Sequence, residues 1–173
     1  MTVKFSCLYL FPFLLFGQTF EVSNSSKITY YGSHFTSDWQ GHSSGFRGRI
    51  IYDAVNQTTN SCSLRVDLAT FDSGNSNRDS NMLTYLDVFQ YPDVMFVSNE
   101  IFVEGINASI KGKLTFHGIT KNINLRANIS LNDGFNAEGS FIILLSEYEV
   151  ERPVLLFKKI ADEMKLKFHI VAK

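Results

Sequence analysis

Alternating apolar and polar side chains between residues 110 and 145 constrain the fold more than any other feature of the sequence. In residues 123–131 every odd position is apolar and every even position is polar. Successive side chains of a β-strand point to opposite faces, so this period of two indicates strands with one buried face. Turn residues at 117–120 and 132–134 separate the alternating segments. The pattern therefore predicts consecutive antiparallel strands joined by short turns.

A single short helix is predicted between two of the strands. Apolar residues recur there at i, i+3, i+4 and i+7, as Met82, Tyr85, Leu86 and Phe89. Ser76 and Asp79 resemble a capping box, which starts a helix by satisfying free backbone N–H groups. Pro92 disfavours helical geometry at the residue before it, so we expect the helix to end at residue 91.

These segments predict an all-β fold, an eight-stranded antiparallel barrel with one short helix after the third strand. A long antiparallel sheet without a second layer of helices tends to close on itself, because closure removes its unpaired edges. Residues 34–45 are mostly polar and contain glycines, so they are predicted mainly as loop. Residues 154–160 are predicted as a small helical turn near the C-terminus.

The first 17 residues are typical of a secretory signal peptide. Lys4 precedes a largely apolar run at residues 5–16, and the small residue Gly17 follows it. The run is shorter than the roughly 20 apolar residues that a membrane-spanning helix needs. We therefore expect a signal peptide at residues 1–17 and one domain without a membrane span at residues 18–173. The mature protein is then expected to be periplasmic or secreted.

Charge and motif content argue against several classes of function. A net charge of -1 provides no basic face for nucleic acid. His34, His42, His117 and His169 lack the spacing of a metal site, and Cys62 has no second cysteine in the mature domain. Phosphate-binding loops and nucleophile motifs are absent from the sequence. We predict no catalytic residue, no metal site, no required cofactor and no enzymatic activity, and we interpret His117 as a structural residue that bonds loop backbone.

Five segments of the chain, at residues 26–30, 41–48, 73–82, 91–98 and 112–121, carry a resemblance to a known family. Two of these segments, taken together, are specific for that family. Residues 74–79 read Gly-Asn-x-x-Arg-Asp, and residues 112–121 read Gly-x-Leu-Thr-x-x-Gly-x-Thr-Lys. Over roughly residues 26–172 the chain resembles the YceI-like family of exported lipid- or polyisoprenoid-binding proteins.

The resemblance implies an extended relative of the lipocalin barrel, whose long apolar tunnel holds an isoprenoid chain such as a polyprenol or a quinone tail. Such a tail needs apolar surface and little polar chemistry. The ligand-binding candidates are inward-facing apolar residues: Phe46, Phe71, Met82, Leu86, Phe89, Phe96, Phe116, Phe141 and Phe157. Arg78 and Asp79 are interpreted as residues that fix the loop and cap the helix. Residues 149–157 depart from the family pattern where the mouth of the cavity is expected.

The leading hypothesis is a non-enzymatic carrier or storage protein that holds an isoprenoid-type amphiphile inside a barrel. Two alternatives stay open at this point. One is an enzyme that acts on an isoprenoid or quinone in the same pocket, and the other is a ligand-free barrel that serves as an interaction module. The sequence also leaves a homodimer open.

Overall fold

The computed structural model describes residues 17–173, except for the side chain of Thr59. The predicted signal peptide therefore lies outside the described residues apart from Gly17. The strands are β1 (Gln18–Glu21), β2 (Lys27–His34), β3 (Ser37–Ser43), β4 (Phe46–Tyr52), β5 (Ser61–Asp67), β6 (Asp93–Glu104), β7 (Asn107–Phe116), β8 (Ile119–Ser130), β9 (Phe135–Leu144), β10 (Val154–Leu155), β11 (Lys158–Lys159) and β12 (Glu163–Ala172). The helix α1 is Ser76–Tyr85, and short 3-10 helices occupy Gln57–Thr59, Leu68–Thr70 and Leu145–Tyr148.

Ten of these strands form one curled antiparallel sheet in the order β1-β4-β5-β6-β7-β8-β9-β12-β2-β3, and β10 pairs only with β11. The sheet returns on itself through backbone hydrogen bonds. The Glu21 N–H donates to the Lys173 carbonyl at 2.8 Å, and the Lys173 N–H donates to the Glu21 carbonyl at 2.9 Å. At the other edge of the sheet, His42 and Asp72 exchange two backbone hydrogen bonds of 2.9 Å. These contacts confirm the predicted all-β, antiparallel, lipocalin-like architecture.

The predicted number of strands was wrong, because β1 and β3 were missed. The helix consequently follows the fifth strand rather than the third. The polar, glycine-containing sequence of β3 does not indicate a strand, yet β3 pairs with β2. In this pair, each glycine leaves room for an aromatic ring on the opposite strand. A Cβ atom at Gly41 would lie 2.5 Å from the Tyr30 ring, and one at Gly32 would lie 2.4 Å from the Trp39 ring. The pairs Tyr30–Gly41 and Gly32–Trp39 face each other across β2 and β3.

The helical turn predicted near the C-terminus was also wrong. Residues 154–159 form a hairpin, in which Val154 pairs with Lys159 and Leu155 pairs with Lys158. A short apolar run does not distinguish a helix from a strand by its periodicity. The hairpin is closed at its base by a 3.1 Å hydrogen bond from the Ile160 N–H to the Pro153 carbonyl.

The alternating segments fold as predicted. In β8, Leu125, Ala127 and Ile129 are buried, and the polar residues between them are exposed. The β7–β8 turn consists of His117 and Gly118, which both have positive φ angles, of 49° and 75°. This geometry suits the right-handed twist of a tight hairpin. The inward faces of β7, β8 and β9 thus supply one continuous apolar wall.

Candidate functional site

The inside of the barrel is an apolar cavity of about 560 Å³. Seven of the nine residues predicted to contact a ligand lie on its wall: Phe46, Phe71, Met82, Leu86, Phe96, Phe116 and Phe141. They come from β4, β6, β7, β9, α1 and its C-cap, and the segment between β5 and α1. Inward-pointing side chains of a barrel alternate with outward ones along every strand, so these distant positions converge on one space.

The other two predicted residues, Phe89 and Phe157, lie on the surface of the protein. Phe89 is 100% exposed and Phe157 is 99% exposed, and neither lies on the cavity wall. The helical spacing that included Phe89 fails because α1 ends at Tyr85, and Asp87 then adopts a positive φ angle of 44°. Phe157 occupies the turn of the β10–β11 hairpin. The interpretation of these two residues as inward-facing was therefore wrong.

Much of the wall consists of aliphatic side chains that the prediction left out. They include Ile110, Leu114, Ile123, Leu125, Ile129, Leu166 and Ile170. The signal that identifies them is the same period of two that predicted the strands. Seven phenylalanines and the two helix residues Met82 and Leu86 were chosen as ligand contacts, although the alternation marks every inward strand position in the same way.

Aromatic rings pack against one another at the end of the barrel that is remote from α1. The ring centroids of Phe20 and Phe135 are 5.7 Å apart, and those of Tyr52 and Phe135 are 5.8 Å apart. The small residues Ala108 and Ala137 line the cavity. Asn60 also reaches the cavity wall, but its Oδ1 accepts a 2.6 Å hydrogen bond from the Asp53 N–H. The wall of this region is therefore almost wholly hydrocarbon.

The polar residues of the wall gather at the α1 end of the cavity, next to the segment that leads into the β10–β11 hairpin, and we infer that the mouth of the cavity lies there. Arg78, Asn81 and Tyr85 line it from α1, and Ser37 and Glu151 add further polar groups. The sequence analysis expected the mouth at residues 149–157, which include Glu151, but it did not place Ser37 or the residues of α1 there. An amphiphile could therefore keep a polar group at this end while its apolar part lies in the barrel.

The loop before α1 is held by two side-chain contacts. The helix is capped by Asn75, whose Oδ1 accepts a 3.0 Å hydrogen bond from the Arg78 N–H. The predicted cap at Ser76 is thus displaced by one residue. The Asp79 carboxylate accepts from the Ser73 N–H at 3.1 Å, which confirms its predicted role in fixing the loop.

Arg78 and its surroundings give the mouth its electrostatic character. The guanidinium carbon of Arg78 lies 5.7 Å from the centroid of the Trp39 ring, within the range of a cation–π contact. Burial raises the pKa of the nearby Tyr30 hydroxyl, and the Asp79 charge raises it further. Tyr30 therefore stays neutral at physiological pH, and Arg78 remains the charged group that α1 presents to the cavity.

The reactive side chains of Cys62 and His117 lie in environments that suit a structural role. Cys62 lines the cavity, and burial raises the pKa of its thiol to about 12. His117 Nδ1 lies 2.9 Å from the Tyr148 carbonyl oxygen, which confirms the predicted structural role of this histidine.

Among residues 17–173 there is no group of three His, Cys, Asp or Glu side chains that could hold a metal ion. Within the same range, no helix is long and apolar enough to cross a membrane.

Comparison with known proteins gives a family match over nearly all of the described chain. The YceI-like domain model matches residues 21–172. A UPF0312 protein of Pseudomonas putida is 30% identical over 126 residues, which are 65% of this chain and 62% of that protein. The aligned segment thus spans less than two thirds of that relative. Protein YceI of Salmonella agona is 26% identical over 163 residues, which are 82% of this chain and 84% of that protein.

Two solved structures share the fold. Burkholderia cenocepacia BcnA superposes with a TM-score of 0.78 at 25% identity, over 88% of this chain and 99% of that chain. A polyisoprenoid binding domain from Saccharophagus degradans, described as implicated in plant cell wall breakdown, superposes with a TM-score of 0.74 at 14% identity. That alignment covers 91% of this chain and 98% of that chain.

Proposed function

The chain belongs to the YceI-like domain family, and we propose that it is an exported carrier or storage protein for a long isoprenoid-type amphiphile. The isoprenoid tail occupies the barrel cavity, and the polar end of the molecule lies at the mouth beside α1. A polyprenol and an isoprenoid quinone both have this form. The protein binds the molecule without changing it.

The apolar cavity is the observation that carries this proposal. Its volume of about 560 Å³ lies within the range of about 300–1,000 Å³ that is typical of small-molecule sites. Each buried methylene group contributes about 0.8 kcal/mol to binding, so a tail binds tightly without polar contacts. The neighbouring structure from Saccharophagus degradans carries the name polyisoprenoid binding domain, which agrees with a ligand of this class.

Binding without catalysis is supported by the chemistry of the wall. With a pKa of about 12, the Cys62 thiol stays protonated at physiological pH and is a poor nucleophile. The pKa of Tyr30 is raised as well, so its hydroxyl does not act as a base. His117 lies at the β7–β8 turn and is bonded to loop backbone. Cys62 and Tyr30 can pack against a ligand, but their protonated forms do not suit nucleophilic or base catalysis, and His117 is not among the residues of the cavity wall.

Native mass spectrometry combined with organic extraction tests the proposal. The mature protein is purified from its own envelope fraction and is analysed before and after extraction. We expect a co-purified species of isoprenoid mass at close to equal stoichiometry. An apo mass that does not change after incubation with polyprenols and quinones would overturn the carrier function.

Turnover is tested on the same material. The extracted ligand is returned to the apo protein and is recovered after incubation. We expect its mass to be unchanged. A product of different mass, absent when the protein is omitted, would replace the carrier by an enzyme that uses the same cavity.

Export is a separate part of the proposal, supported by the signal-like residues 1–17. A chain with a C-terminal tag is expressed in its host, and the cells are fractionated. We expect the tagged protein in the envelope or the medium, with an N-terminus close to residue 18. A tagged protein that stays in the cytosol with its N-terminus intact would contradict export.

A further inference from the structure

Five large apolar side chains are exposed to solvent beside the mouth of the cavity. Phe157 is 99% exposed, Leu156 is 67% exposed, and Phe35 in the β2–β3 turn is 60% exposed. Val154 and Leu155 of the same hairpin are 58% and 48% exposed. We call this set of five residues the apolar tip. Contiguous exposed apolar groups of this kind usually mark a surface that contacts another apolar phase.

The backbone conformation at the turn of the hairpin is unusual for large apolar residues. Leu156 and Phe157 form the two-residue turn, and their φ angles are 46° and 70°. Two-residue turns with two positive φ angles strongly favour Asn-Gly, because bulky side chains are strained in the left-handed region. The turn therefore carries two large apolar residues where small polar ones would be more stable. Such an exception is expected where the side chains have a function.

The apolar tip is continuous with the cavity and is held in place. Val154 and Leu155 line the cavity mouth while their hairpin projects into solvent. The Ala161 N–H donates a 2.9 Å hydrogen bond to the Ser33 carbonyl, which joins the base of the hairpin to β2. The ammonium of Lys158 lies 4.9 Å from the centroid of the Phe35 ring. The two turns thus present one surface next to the opening.

The charges on the hairpin indicate which kind of surface the apolar tip contacts. Residues 153–160 include Lys158 and Lys159 and no acidic residue. Both lysines are exposed, and within residues 17–173 neither has a carboxylate within ion-pair distance. The flanking Arg152 pairs instead with Asp162 at 3.5 Å. Exposed apolar residues flanked by lysines that form no ion pair match the interface of an anionic phospholipid bilayer, in which rings insert and ammonium groups meet phosphates.

We propose that the apolar tip docks on an anionic phospholipid bilayer, so that the cavity opens towards the membrane. This inference rests on the proposed function for its purpose, because an isoprenoid tail has little solubility in water and is exchanged most readily at a membrane surface. The docking itself requires only the exposed side chains and the two lysines.

The direct test is flotation of the mature protein with lipid vesicles. The vesicles are phosphatidylcholine alone or phosphatidylcholine mixed with phosphatidylglycerol. The key variant is Leu156→Asn/Phe157→Gly, which places the favoured residues in the turn and so retains the hairpin. We expect it to lower partitioning onto the mixed vesicles by about tenfold or more, since Phe157 is fully exposed in solution.

Two further variants separate the contributions. Lys158→Gln/Lys159→Gln should weaken binding to the anionic vesicles by about fivefold per lysine and make it less dependent on salt. Ile106→Ser is the matched control. Ile106 is 64% exposed and lies in the turn after β6, at the end of that strand remote from α1. We expect it to leave vesicle binding unchanged.

The outcomes distinguish docking from ligand carriage. Equal flotation of the wild type and Leu156→Asn/Phe157→Gly would overturn the docking surface, as would an equal loss with Ile106→Ser. Dimerisation that depends on the apolar tip, without vesicle binding, would assign the surface to a second copy of the chain. Ligand loading is measured separately, with a polyprenol delivered in detergent. Vesicle binding by a protein that takes up no polyprenol would refute the carrier function and leave the docking surface intact.

Discussion

Replacing Ala137 by Phe should shorten the longest tail that the cavity binds by about one isoprene unit. Ala137 lies on the cavity wall and is 8% exposed. It pairs with Ile129 of β8 and with Ile170 of β12, which also line the cavity. An inward phenyl ring at this position therefore enters the space that is proposed for the tail.

The size of the effect follows from volumes and transfer free energies. A cavity of about 150 Å³ accommodates benzene, so one phenyl ring takes up roughly a quarter of the cavity. Excluding one five-carbon unit removes at most about 4 kcal/mol of binding free energy, at about 0.8 kcal/mol per carbon. A full-length tail would then bind up to roughly a thousandfold more weakly. A tail shorter by one unit should bind nearly as well as it binds to the wild type.

Affinity is measured for a series of polyprenols of increasing length, with the fluorescence of Trp39 as the signal. Trp39 is the one tryptophan of the sequence and lies on the cavity wall. Ile142→Phe is the matched control, because Ile142 lies on the same strand but is 59% exposed. The thermal midpoint of each apo variant is recorded to verify folding.

We expect Ala137→Phe to change the dependence on tail length and Ile142→Phe to leave it unaltered. The apo form of Ala137→Phe should be as stable as the wild type, because the ring fills empty space rather than displacing packed atoms. An unchanged length profile in a folded Ala137→Phe variant would refute the claim that the tail reaches this part of the barrel. Equal effects of the two variants would refute it as well.

Two substitutions and one labelling experiment test individual structural assignments. Asn75→Ala should lower the free energy of unfolding by about 1 kcal/mol, since it removes the cap on the Arg78 N–H, and Asn75→Ser should restore most of it in urea denaturation. Cys62 should resist iodoacetamide in the native protein at pH 8 and react only on unfolding, because its pKa is about 12; rapid native labelling would contradict its burial. Gly48→Ala should cost about 3 kcal/mol or more, because a Cβ atom there would lie 2.0 Å from the Ser63 carbonyl oxygen at a φ of 139°, and a wild-type thermal midpoint would refute the close approach.

The β7 to β9 region could be predicted from the sequence because its information is local. The burial of Leu125 and the exposure of Arg126 follow directly from the alternation of strand side chains. The turn at His117 and Gly118 is likewise marked by residue types that accept positive φ angles. Such features need no knowledge of distant parts of the chain.

Strand β3 could not be predicted in the same way, because its stability depends on its neighbour. Gly41 has low strand propensity by itself, yet it leaves the room that the Tyr30 ring on β2 occupies. The hairpin of β10 and β11 failed for a related reason. Its turn residues, Leu156 and Phe157, contradict the usual turn chemistry, so no local rule identifies it.

The candidate site was predicted in part. Phe96 and Phe116 were placed on the wall correctly, since they alternate with outward residues on β6 and β7. Phe89 was misplaced because the helical spacing continued past the true end of α1. The mouth was expected at residues 149–157, but the contribution of Arg78 from α1 was missed, because Arg78 and Glu151 are more than 70 positions apart and only the folded sheet places both on one cavity wall.

Photo-crosslinking with an isoprenoid that carries a diazirine at the end of its tail tests the central claim most directly. The probe is bound to the mature protein and irradiated, and the labelled peptides are identified by mass spectrometry. Adducts on inward residues of β8 and β12, such as Leu125, Ile129 and Ile170, that excess polyprenol suppresses are the predicted result. Adducts confined to exposed residues such as Phe89 and Phe157, or labelling that polyprenol does not suppress, would contradict a tail held inside the barrel.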